Sequence, residues 1–415
     1  MIYRIFLVLI TLVSLSSIAK AQPHVLEVYN KDNSPLPDDN IRALAIAPDS
    51  SLWIGTENGL TAFKNGVWDI VDTLQGYQIR AIAFDTAGHA WVGTFLNGFW
   101  VQTDTSWINY TATNSTLPDD FVRTISFCPN GNAWVGTVGG ALEISNGIWK
   151  VYRETNTNWF VEHITSSYCG PDNIVWLGGL NSGLMRQQDT TWTIYRHSNS
   201  GLPDNTVLDI KRNNNGDYLL AMPASGAAAF DGNLGWVYYN TLTSNNPSNS
   251  INHIAIGNTG YLYFASADKG LVVYEGGLNW FNISTLNISD TGGNFLPSDQ
   301  LLQLAYDPSG AIWASAANEG LLRIEFLDTL NSISNQSFNQ NPISIYPNPA
   351  QDYCIIETPI PETSISFINV LGQVVFNTIS SSSKTKVPLS HLPKGTYIVA
   401  LQIGSEQISQ RLIKY

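Results

Sequence analysis

The sequence predicts an all-β fold: a seven-bladed β-propeller followed by a small immunoglobulin-like β-sandwich. Three observations predict it. Short runs rich in β-branched and aromatic residues alternate with Gly, Asn, Pro and Ser turns, and no long segment of helical period interrupts them. A Trp-centred unit recurs in steps of 38 to 50 residues, at Trp53, Trp91, Trp134 and Trp176, then as Leu219, Tyr263 and Trp313. A fragment that would complete the last copy stands at the other end of the chain.

The unit is clearest over Asn114–Tyr152. It holds four strand-like runs, Val122–Phe127, Ala133–Gly136, Ala141–Ile144 and Ile148–Tyr152, parted by Pro129-Asn130-Gly131-Asn132, Val138-Gly139-Gly140 and Ser145-Asn146-Gly147. Asn-Gly favours tight hairpins, because both central residues of the turn need positive φ. Four such strands make one small sheet that cannot bury both faces alone, so it needs copies of itself on either side. A second marker, a Gly before an apolar residue, falls at Gly59, Gly98, Gly140, Gly183, Gly226, Gly270 and Gly320. A third, the Trp opening the fourth strand, falls at Trp68, Trp107, Trp149, Trp192, Trp236 and Trp280 and has no seventh copy. Val25-Leu26-Glu27-Val28-Tyr29 matches the missing strand, and the expectation is that it closes the last blade and removes an open sheet edge.

The period, the W-[VIL]-G-T core, the connectors Asn33–Asp39, Asn114–Asp120 and Asn199–Asp204, and the terminal W-x-x-Y resemble the two-component-regulator propeller repeat over Val25–Phe326. The resemblance implies a propeller of the kind that forms periplasmic sensor regions of hybrid histidine kinases, many of which respond to glycans. Thr329–Asn341 reads as a polar linker. Beyond it come Ile345-Tyr346-Pro347-Asn348-Pro349-Ala350, Asn369–Val375, Leu392–Val399 and Arg411–Tyr415. In that order they resemble the C-terminal sorting domain of the Bacteroidota type IX secretion system. That resemblance implies the type IX machinery as a partner of residues 342–415, and release or attachment at the outer cell surface by way of the periplasm.

At the start, Arg4, the apolar Ile5–Val13 and Ala19-Lys20-Ala21 read as a secretory signal peptide; the apolar run falls short of the ~20 residues of a membrane span. The expected domains are therefore 1–21, signal peptide; 22–328, propeller; 329–341, linker; and 342–415, sorting domain, with no membrane span in the mature chain. The formal charge of −13 makes nucleic acid and anionic membranes poor partners.

Chemistry is less legible. The recurring Trp residues read as packing between blades rather than as a sugar platform, each burying about 150–250 Å². Phe95, Trp100, Trp159 and Phe160 lie off the pattern and are the better aromatic ligand candidates. The connector carboxylates Asp38, Asp39, Asp119, Asp120 and Asp204 read as turn acceptors, with calcium the alternative. Aligning the innermost strands sets Arg42, Arg80, Arg123, Glu162, Leu208, Asn252 and Leu302 at one level, and Ala43, Ala81, Thr124, His163, Asp209, His253 and Gln303 at the next. Three guanidinium groups around one channel suit a carboxylate, sulfate or uronic acid. His163, Asp209 and His253 suit a metal, or a base with its orienting carboxylate. The bland alternative is a hydrated channel with Arg–Glu pairing. Cys128 and Cys169, on neighbouring copies, are candidates for a disulfide; Cys354 reads as buried. The expectation is an exported, non-enzymatic binding module for a glycan or another anionic ligand, without a cofactor. The alternatives are a polysaccharide-cleaving enzyme and a protein-binding surface scaffold.

Overall fold

The computed structural model describes residues 22–158, 163–188, 191–233, 235–277, 279–285, 296–327, 344–348, 350–357, 364–369, 374–380, 382, 384–403 and 406–415. The signal peptide and linker expected from sequence lie outside these residues. The chain divides into two compact units, one of them Pro23–Phe326, the other containing the C-terminal strands.

The first unit is built of seven four-stranded sheets among the described residues. Six run in chain order, with innermost strands Ile41–Ile46, Ile79–Phe84, Val122–Phe127, Ile164–Cys169, Asp209–Arg212 and Ile251–Ile256. The seventh is completed from the other end of the chain: Leu301–Tyr306, Ile312–Ala316 and Gly320–Leu327 are joined by Gln22–Tyr29 as the outer strand. Each innermost strand packs against the next, and Leu301–Tyr306 packs against Ile41–Ile46, so the ring closes.

The motif residues explain the stacking. The Gly of W-[VI]-G-T is a site of close approach: a Cβ on Gly55 would stand 2.4 Å from Cγ2 of Ile79, and one on Gly93 2.5 Å from Cγ1 of Val122, each on the next sheet. The Thr of the motif donates its hydroxyl across the following turn, Thr56 to the Gly59 carbonyl at 3.0 Å and Thr137 to that of Gly140 at 2.8 Å. The second-marker Gly at 320 has φ +91°, and its absent side chain leaves room for the Tyr29 carbonyl, 2.1 Å from where a Cβ would stand. Apolar cores span neighbouring sheets: Trp134 lies with Ile164 and Leu177, and Trp176 with Tyr218 and Phe230. The recurring Trp side chains at 134, 176 and 313 are buried, as packing requires.

The C-terminal unit has a three-stranded sheet, Ser344–Tyr346, Tyr353–Glu357 and Lys384–Pro388, and a four-stranded one, Val374–Ile379, Ser364–Ile368, Gly395–Ile403 and Glu406–Lys414. Ile356 and Val387 of the first share a core with Phe367, Val399 and Leu401 of the second, and the unpaired Cys354 thiol is buried there.

Candidate functional site

The candidate site is made by a repeated irregularity. In six sheets the innermost strand carries an extra residue near its start, between the paired residues Ile41/Ala43, Ile79/Ala81, Val122/Thr124, Ile164/Ser166, Ile251/His253 and Leu301/Gln303. A bulge takes its residue out of the ladder and re-aims the side chain. The bulged residues are Arg42, Arg80, Arg123, Thr165, Asn252 and Leu302, and Leu208 holds the equivalent place in sheet five. All seven line a cavity of about 280 Å³ at one end of the central channel.

These positions correct the sequence alignment for sheet four. Each stands eleven residues before the motif position of its sheet, and for Trp176 that residue is Thr165. The alignment keyed on an Ile, and sheet four has Ser167 where the others have an aliphatic residue, so it slipped to Ile164 and selected Glu162 and His163. Thr165 and Ser166 occupy those levels instead. Glu162, Trp159 and Phe160 lie outside the described residues.

Arg42, Arg80 and Arg123 do converge at this mouth. Arg42 Nε donates to Glu57 Oε1 at 2.8 Å, and Arg80 spans the same carboxylate with two bonds of 3.0 Å. Arg80 Nη2 also donates to Gln78 Oε1 at 3.2 Å. The Arg80 guanidinium lies 5.2 Å from the centre of the Phe95 ring, and that of Arg123 5.4 Å from the Phe121 ring. The two rings meet edge to face at 4.6 Å. Arg123 Nη1 donates to His163 Nε2 at 2.9 Å. Burial and then the Arg123 charge hold the His163 pKa below its ordinary value, so the imidazole is neutral and accepts. Burial, with the nearby Arg80 charge second, lowers the Arg123 pKa from its ordinary value. Two of the three cations thus share one carboxylate, and Arg123 pairs with none among the described residues.

Glu57, Gln78 and Phe121 were missed by sequence reasoning. Glu57 had a usable signal: it directly follows W-I-G-T, the place that Phe95 occupies in the next repeat.

The channel below, about 420 Å³, is lined by both Asp209 and His253. His163 belongs to Arg123, so the three-residue group drawn from sequence is divided. Asp209 Oδ1 accepts the Ile210 N–H at 2.9 Å, and Oδ2 accepts the Ile254 N–H at 2.9 Å from the neighbouring sheet. His253 Nδ1 accepts the Leu304 N–H at 3.4 Å, which leaves the ring proton on Nε2, 3.5 Å from Asp209 Oδ2. Burial pushes the His253 pKa down to about 4, against the opposing pull of Asp209. Burial alone would raise Asp209, but His253, Lys211 and the Ile254 N–H together hold it below the usual carboxylate range. The pair is a tie between innermost strands, and both imidazole nitrogens are engaged.

Other candidates resolve structurally. Asp38 accepts the Asn40 N–H and Asp39 that of Lys31, both at 2.7 Å. Asp119 and Asp120 do the same for Phe121 and Ala112, and Asp204 for Thr206. Trp100 packs on Tyr77 at 5.6 Å within the core between sheets one and two. Cys128 and Cys169 form a disulfide with Cα atoms 5.0 Å apart, joining the innermost strands of sheets three and four at their far ends. Among the described residues no helix is long and apolar enough to cross a membrane.

Comparison with known proteins adds two local family matches and the fold. The two component regulator propeller model matches residues 35–58, and the secretion system C-terminal sorting domain model matches residues 344–415. No curated protein matches the chain. Among solved structures, an extracellular domain assigned to a hybrid two component system of B. thetaiotaomicron is 18% identical with a TM-score of 0.62, over 95% of this chain and 57% of that one. PorZ, described as an essential surface component of the type-IX secretion system of Porphyromonas gingivalis, is 15% identical with a TM-score of 0.55, over 91% and 60%. Virginiamycin B lyase from Staphylococcus aureus is 14% identical with a TM-score of 0.56, over 73% and 99%. The chain spans only 57% and 60% of the length of the first two. At such identities the likeness shows the fold. The sorting domain indicates export to the cell surface or the extracellular space. The chain therefore shares a β-propeller fold with these structures, matches the two component regulator propeller model over residues 35–58, and carries a secretion system C-terminal sorting domain over residues 344–415.

Proposed function

We propose that this protein is a non-enzymatic binding module of the cell exterior, which takes an anionic ligand, a glycan foremost, at the guanidinium mouth. The observation that carries the reading is Arg123. Among the described residues this half-buried cation contacts a neutral imidazole and an aromatic face and pairs with no carboxylate. A desolvated charge without a counter-charge is unfavourable, and a ligand carboxylate or sulfate would supply the missing partner. The mouth is cationic although the chain as a whole carries −13, so it is a local exception to an acidic surface. Phe95 and Phe121 flank the guanidinium groups and hold their planes. The channel pair Asp209–His253 reads as a tie between innermost strands, with His253 Nδ1 on the Leu304 N–H and Nε2 facing Asp209, rather than as polysaccharide-cleaving machinery.

The finer architecture belongs to the same reading. Each four-stranded sheet is taken as one blade of a seven-bladed propeller, and the two C-terminal sheets as an immunoglobulin-like sandwich. Residues 1–21 act as a signal peptide and 329–341 as the linker, and the type IX secretion machinery takes the C-terminal domain as its export signal.

The test is a screen of acidic and neutral glycans against the chain beginning at Gln22, followed by titration. Acidic glycans are expected to bind, and more weakly at high salt. Arg123→Gln should weaken binding about tenfold or more, the loss of one charge-assisted contact. Glu57→Gln should strengthen it, because Arg42 and Arg80 lose their shared counter-charge. Folded protein that binds no acidic glycan, or binds one equally well after Arg123→Gln, would sink the reading.

A further inference from the structure

The mouth continues inward as a tube that carries a fourth cation. The 280 Å³ mouth and the 420 Å³ channel share Arg80, Arg123 and Leu208 in their walls, so one opens into the other. Lys211 lines the channel three residues beyond Leu208 on the same strand, about 10 Å farther along it. Its side chain is 36% exposed, and among the described residues its ammonium has one ionic contact, Asp209 Oδ1 at 3.3 Å. An ammonium has three donors. Asp209 also spends its oxygens on the Ile210 and Ile254 N–H groups, so it neutralises Lys211 without enclosing it. At the level of Lys211 the channel wall is small: Ala45, Ala255 and Ala305 stand at the same place on sheets one, six and seven. The tube therefore has an arginine mouth, alanines in part of its wall and an amine in its lining.

Resting on the reading of the mouth above, we infer that the channel takes the end of an acidic oligosaccharide carrying two carboxylates. The outer one pairs with Arg123 and the inner one with Lys211. Arg123 at the mouth and Lys211 on another sheet, about 10 Å deeper by strand rise from the mouth level, select against a single acidic sugar, which reaches only one of them. The ligand enters along the channel axis, so chain ends are bound and polymer interiors are not.

The experiment is calorimetric titration of the whole mature chain with galacturonate, with α-1,4-linked digalacturonate and with neutral maltose. Wild type is expected to bind digalacturonate about tenfold more tightly than galacturonate, and maltose not measurably. Lys211→Met should collapse the ratio of the two acid affinities toward one. Lys211→Arg, which keeps the charge and the partner for Asp209, should preserve it and shows that the effect is not misfolding. Arg123→Gln should weaken both acids. Equal affinities in wild type, or a ratio that survives Lys211→Met, overturns the inference while the mouth reading stands. Absence of binding by either acid overturns the inference and leaves the mouth reading to the wider glycan screen; acid binding indifferent to Arg123→Gln overturns both.

Discussion

Arg123 and His253 occupy the same ring of innermost strands and meet opposite electrostatic demands. Arg123 cannot shed its proton, so burial leaves it a charge in need of a partner. His253 can, and burial lowers its pKa from 6.5 to about 4, keeping it neutral. That shift fixes a pH dependence. Between about pH 6.5 and 4 the unfolded chain binds a proton at this imidazole that the folded chain does not, so stability falls as pH falls through that window. The whole effect is about 3 kcal/mol, at roughly 1.4 kcal/mol per unit. Below that window the depressed Asp209 adds a further loss as it protonates. Urea unfolding at pH 7 and pH 4.5 should show a clearly larger fall in wild type than in His253→Gln. Equal falls would mean that other groups govern the acid limb.

At the scale of the element, one device recurs: a bulge near the start of six of the seven innermost strands and a turn at the strand's end. The bulge delivers the side chain to the mouth, and the turn end carries the disulfide in sheets three and four. The bulge is invisible to a strict two-residue period, which is why the sequence could name the levels of the channel but not say which one faced it. The disulfide closes a separation of 41 residues and ties two adjacent sheets. Its removal by Cys128→Ser with Cys169→Ser should lower stability by about 2–4 kcal/mol in urea. Thiol titration of the unfolded, unreduced mature chain should find one free thiol of the three cysteines, Cys354. Three free thiols would rule the bridge out.

At the scale of the whole molecule, the ring depends on its first strand. Gln22–Tyr29 is the outer strand of the last sheet. Tyr29 then reaches across the seam: its ring lies 5.5 Å from Phe63 and 5.4 Å from Trp68 of sheet one, and 6.2 Å from Trp313 of sheet seven. The turn of sheet seven is fastened from the other side, where the Gly320 N–H donates to the Asp39 carbonyl at 3.2 Å. A chain beginning at Asn30 should lose several kcal/mol, since each aromatic pair alone is worth about 0.5–1.5 kcal/mol beyond its buried area. It should also expose a sheet edge and self-associate. An unchanged urea midpoint together with a monomeric elution volume would show that the ring does not need this strand.

The sequence by itself determined the repeat, the pairing of the N-terminal strand with the last repeat in one sheet, and the change of module beyond that repeat. These follow from periodic local chemistry: Gly55 makes room for Ile79 and Thr56 closes its turn, and Gly93 with Thr94 and Gly136 with Thr137 repeat the pair in the next two copies. It also brought Arg42, Arg80 and Arg123 to one level, because the spacing to the motif Trp is constant. Only the tertiary structure decided what those charges meet. Glu57 neutralises two of them, His163 turns to the third, and Asp209 reaches His253 across a sheet boundary. Such pairings depend on side-chain direction at bulges and on the closure of a ring, and neither is encoded in the spacing of residues along a single strand.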